Sequence, residues 1–91
     1  MKIHITAVKF SGFGTPTITV VLDGQEVAWL GDGQSTEIDT LPGKHAMLFA
    51  TMIRKASVQF ESTQDVNISL KWNRLSGRLQ ALVTGSDVRS Q

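Results

Sequence analysis

Read for apolar and polar positions, the chain alternates in short stretches rather than repeating at three and four. Residues 66–72 give the cleanest case, with Val66, Ile68, Leu70 and Trp72 on one side and Asn67, Ser69 and Lys71 on the other. Residues 17–22 set Ile18, Val20 and Leu22 against Thr17, Thr19 and Val21, and residues 2–10 begin with the same rhythm at Ile3 and Ile5. Further strands are predicted over 25–30, 34–39, 45–53, 57–61 and 78–84. No stretch of eleven residues carries helical apolar spacing, so no substantial helix is predicted.

Turn chemistry separates these stretches every eight to twelve residues or so, the spacing of an antiparallel all-β domain. Asp23-Gly24 is a strong hairpin signal, because both central positions of the tight turn need φ above zero. Leu41-Pro42-Gly43-Lys44 places a residue with preset φ before one that tolerates positive φ. The tripeptide Asp-Gly-Gln stands at 23–25 and again at 32–34, which reads as two successive turns of a meander. The expected architecture is therefore a single antiparallel β-sandwich of seven or eight short strands over residues 1–84. Residues 85–91 read as a polar, frayed tail.

Composition supports one small domain. Of the 91 residues, 26 are Leu, Val, Ile or Phe, and Thr, Val and Ile together number 23. The first count is above the level at which a chain stays unfolded for lack of apolar surface, and the second favours strands. The chain has no cysteine, which excludes disulfides and thiolate metal sites. No apolar run approaches the length of a membrane span, and the start of the chain lacks a secretory signal. A cytoplasmic location is the expectation for the chain as written, and an extracytoplasmic one if it is an excised fragment.

Charge adds a gradient. The net charge is +1, yet residues 1–45 carry three lysines against five acids, and residues 46–91 six cations against three acids. Lys71, Arg74 and Arg78 fall on one predicted hairpin and form a modest basic rim, which suggests a small nucleic-acid or anionic-ligand binder as the alternative function. The near-neutral total speaks against nucleic acid as the main partner.

From Ile18 to Phe60 the succession Val20-Val21-Leu22-Asp23-Gly24-Gln25-Glu26-Val27, Leu30 with Asp32-Gly33, and Leu41-Pro42-Gly43-Lys44-His45 resembles a known pattern. It is similar to small bacterial β-sandwich modules of the PEGA and carboxypeptidase-regulatory-like kind. Near the place of the Pro-Glu-Gly-Ala tetrapeptide this chain reads Gly14-Thr15-Pro16-Thr17. The resemblance implies an accessory or binding domain without catalytic residues.

Candidate chemistry is sparse. His4 and His45 are the two imidazoles, neither in a nucleophile elbow, and no catalytic residue is assigned. Asp23, Asp32 and Asp39 lack the companions of a calcium loop, and Gly12-Phe13-Gly14 lacks the rest of a phosphate fingerprint; no metal and no cofactor is expected. Residues 45–53 differ from the other strands by being apolar on both faces, Met47, Phe49 and Ile53 on one and Ala46, Leu48, Ala50 and Met52 on the other. Something should cover the second face, either the loops at 11–16 and 73–77 or another protein. Trp29, Met47, Phe49 and Met52 are the interface candidates, for self-association or a partner protein.

Overall fold

The computed structural model describes residues 1–7, 17–31, 33–52, 54–72, 78–85 and 89–90. All its regular structure is strand. β1 (Lys2–Ala7), β2 (Ile18–Leu22), β3 (Gln25–Leu30), β4 (Ser35–Asp39), β5 (Gly43–Ala50), β6 (Lys55–Ser62), β7 (Val66–Trp72), β8 (Leu79–Thr84) and β9 (Arg89–Ser90) follow in chain order. They form a four-stranded sheet in the order β4-β1-β7-β8 and a five-stranded sheet in the order β3-β2-β5-β6-β9.

The expectation of a purely antiparallel domain changes here. The four-stranded sheet is mixed, because β1 and β7 run parallel, with Ile3 beside Val66, Ile5 beside Ile68 and Ala7 beside Leu70. Turn residues specify hairpins, but β1 and β7 are joined by no turn; their pairing sets the buried row Ile3, Ile5 and Ala7 beside the buried row Val66, Ile68 and Leu70 on the core face. The Lys2 amide donates to the Asp65 carboxylate at 2.9 Å, which ties the start of β1 to the start of β7. In the other sheet Arg89 and Ser90 pair with Glu61 and Phe60 and supply the ladder with main-chain partners.

One core serves both sheets. Ile3, Ile5, Val66, Ile68, Leu70 and Leu79 enter it from the four-stranded sheet, and Ile18, Val20, Leu30, Met47, Phe49 and Phe60 from the five-stranded one. Each of these is at most 5% exposed, and full burial of such side chains contributes about 1.5–3 kcal/mol apiece before entropy is charged. Among the described residues no buried side-chain polar atom lacks a partner. Ser62, the buried polar residue, donates to the Gln64 carbonyl at 2.9 Å and accepts from the Gln64 amide at 3.2 Å in the turn before β7.

The turn at 23–24 is the predicted hairpin. Asp23 has φ 50° and Gly24 φ 85°, and Leu22 pairs with Gln25. At 31–34 the chain does not continue a meander; β3 ends in one sheet and β4 begins in the other. Further crossings between the sheets come after β1, β4, β6 and β8.

Candidate functional site

The four interface candidates separate into two pairs. Met47 and Phe49 are 2% and 0% exposed and belong to the core, so their assignment to an interface is corrected. Alternation in β5 told that 47 and 49 share a face, but both faces were apolar and the pattern did not say which was inner. Trp29 is 63% exposed and Met52 96%.

Trp29 stands on the outer face of the five-stranded sheet. Leu30, the next residue, points into the core, and in register Trp29 lies beside Thr19, which lies beside Ala50. One row along, Val21 lies beside Leu48. Thr19, Val21, Leu48 and Ala50 are each half-buried, giving a mainly apolar surface with the indole at its rim. This is the second face of β5 whose covering the sequence demanded. A register shift between Val20 and Val21 leaves Val27 as an extra residue in β3, and it too is exposed, at 38%. The loop segments expected to cover this face, 11–16 and 73–77, lie outside the described residues, as does Ile53.

The basic rim is described in part. Lys71 is exposed and pairs with Gln80; Arg78 is exposed and precedes β8. Alternation places both on the outer face of the four-stranded sheet, opposite in sense to the buried Leu70 and Leu79. Arg74 lies outside the described residues.

The structure brings together a further group that sequence reasoning passed over. His45 begins the inward-facing row of β5, lies opposite Phe60 with ring centroids 6.1 Å apart, and has a side chain only 9% exposed. Its Nδ1 is 2.6 Å from Oδ2 of Asp23, and its Nε2 is 2.6 Å from the carbonyl oxygen of Leu41. The Ala46 amide donates to the other oxygen of Asp23 at 2.8 Å, while the Asp23 amide donates to the Ala46 carbonyl at 2.8 Å. Chiefly the Ala46 amide, and then the His45 ring, hold the Asp23 carboxyl below its usual range. A carboxylate and a carbonyl both accept, so the two ring contacts are satisfied together when both nitrogens carry hydrogen.

This arrangement is a clip. It joins the hairpin turn, the start of β5 and the strand crossing at Leu41, and a depression of about 250 Å³ opens beside it between Lys44, Gln59 and Phe60. In a hydrolase triad Nε2 faces a nucleophile; here it faces a main-chain carbonyl. The signal for the pair lay in the register. Once Leu22 is set beside Met47, the next step puts Asp23 beside Ala46, one residue from His45.

His4 lies on the solvent side of β1, where its Nδ1 is 3.3 Å from Glu37, the residue opposite it in β4. Glu37 also pairs with Lys2 at 3.2 Å, and this hydrogen-bonded contact raises the Lys2 pKa. Among the described residues no cluster of three or more His, Cys, Asp or Glu side chains is arranged to hold a metal ion, and no helix is long and apolar enough to cross a membrane. No family model, characterised protein sequence or solved structure matches the chain.

Proposed function

We propose that the chain is a non-catalytic β-sandwich module that acts by protein–protein contact, its two sheets stacked face to face and the outer face of the five-stranded sheet serving as the contact surface. The observation that carries this reading is Trp29, 63% exposed beside the half-buried row Thr19, Val21, Leu48 and Ala50. Tryptophan is costly to leave in water and is enriched at the centres of interfaces. The likeness to PEGA-type accessory modules points the same way. The clip at His45 supports a structural role for the most chemically suggestive side chains, since its second nitrogen is occupied by Leu41.

Self-association through this face is the form to test. Light scattering on a size-exclusion column, over a concentration series, should give a mass above that of the monomer for the native chain and a monomer for Trp29→Glu, with the far-ultraviolet spectrum of the variant unchanged. A native chain that stays monomeric throughout overturns self-association on this face. Phe49→Ala is the internal control: as a core residue it should lose about 3–5 kcal/mol of stability instead of changing the mass of the folded protein.

A further inference from the structure

The two sheets are open to each other along one side. β8 is an end strand of the four-stranded sheet, and it packs near β6 of the other. β6 in turn is joined by β9 at Phe60 and Glu61, so among the described residues positions 55–59 have no strand on that side. The opening between these edges encloses about 510 Å³, with Ala56, Val58, Leu79 and Ala81 as an apolar floor and Lys71 and Gln80 at the rim. That volume lies within the range of a site for a small ligand or a few side chains.

Sheet ends are normally protected against strand addition by charges, prolines, bulges or shortness. The other described ends follow the rule. β3 has an extra residue and Glu26, β4 has Glu37 and Asp39, and β9 is only two residues long. β8 reads Leu-Gln-Ala-Leu-Val-Thr, with no charge, no proline and no shift in its register against β7. Its exposed apolar residue, Leu82, is 59% accessible. Such an edge presents a row of main-chain groups ready to pair.

The charge around the opening selects what pairs with it. β7 and β8 contain no acid, and β6 contains none before Glu61. Lys55 and Lys71 are exposed and make no ion pair among the described residues. A second copy of this chain added edge to edge would bring its own cations to the same rim. An acidic segment would balance them.

We infer that the β8 edge and the opening beneath it form a docking groove for an extended peptide strand that alternates apolar and acidic residues. Added beside β8, such a strand sends alternate side chains in opposite directions. The apolar ones enter the opening over Ala56, Val58 and Ala81. The acidic ones lie on the outer face toward Lys71. Main-chain hydrogen bonds to β8 supply affinity and the two faces supply selectivity.

The test is an amide chemical-shift titration of the full chain with a capped seven-residue peptide alternating valine and glutamate. Expected are shifts at residues 56–58 and 79–83, saturating binding that weakens with salt, and about tenfold weaker binding to Lys71→Glu, the size of reversing one partly exposed ion pair. The same peptide N-methylated at alternate residues should not bind. Leu82→Glu, a change at an exposed position, should keep the fold and lose the peptide. Shifts confined to the Trp29 face, or equal binding by a valine–lysine peptide, would overturn the groove or its selectivity. A dimer that Leu82→Glu dissociates would make a second copy the occupant, and a labelled single-stranded oligonucleotide that gives the same shifts more tightly would make the groove a nucleic-acid site; either outcome overturns the proposal.

Discussion

The tripeptide Asp-Gly-Gln occurs twice, and the two copies do different work. At 23–25 consecutive positive φ values make a two-residue hairpin, and the strands on either side pair with each other. At the second copy Gly33 again has positive φ, 72°, but the flanking strands part into different sheets. There the Gln34 amide donates to the Gly31 carbonyl at 3.2 Å and the Gln34 side chain accepts from the Gly31 amide at 2.8 Å, while its own carbonyl accepts from Ala7 of β1 at 2.8 Å. A turn signal therefore sets local backbone geometry. Where the chain goes next depends on which strand still has an edge to fill. For β4 that strand is β1, against which Ile38 sits beside Ile3.

Substitutions at the two copies should separate them. Asp23→Ala removes the acceptor of both the Ala46 amide and the His45 ring and should cost about 1–2 kcal/mol in urea denaturation, moderated because the carboxylate is half exposed. Equal stability of variant and native chain would show that the clip contributes nothing. Gly24→Ala, at φ 85° with no atom near the added carbon, tests backbone strain without crowding and should cost about 1 kcal/mol. Gln34→Ala loses an exposed side-chain bond to Gly31 and should cost about 0.5–1 kcal/mol. A larger loss there than at Asp23 would reverse the ranking of the two turns.

Acid should distinguish them as well, by the smallest margin. The folded Asp23 carboxyl titrates below its unfolded value near 3.8, so the stability it adds is full above that pH and is lost as pH falls through the folded value. In Asp23→Asn the decline in melting temperature on the acid side should be shallower than in the native chain, whereas Gln34→Ala should leave its slope unchanged. At the other end of the scale the Lys2 pKa is raised, so its contribution is full below about 10.5 and lost above.

Much of the strand pattern is written locally. Strict alternation at 66–72 reproduces β7 to the residue, and the Asp23-Gly24 pair gives the hairpin its turn. Strand partners are a different matter, because they depend on neighbours distant in sequence. Nothing near Ile3 announces Val66, and nothing near Phe60 announces Ser90. The same gap hid the inner face of β5. Met47 and Met52 look alike in composition, yet one is 2% exposed and the other 96%, and what distinguishes them is that Met47 lies beside Leu22 while Met52 lies beyond the end of the strand. His45 and Asp23, 22 positions apart, became a pair through that register.

The parallel pairing of β1 and β7 bears on how the molecule comes into being. A growing chain can close β2 with β3 and β5 with β6 from residues within about 20 positions of one another, and non-local pairs are the slow ones. β1 emerges first and must hold its apolar row until Val66–Trp72 has left the ribosome, with β4 as an interim neighbour on one side. Maturation of the four-stranded sheet is thus governed by when the late segment arrives. A nascent chain stalled before β7 would expose Ile3 and Ile5 to whatever chaperone or stray strand reaches them first.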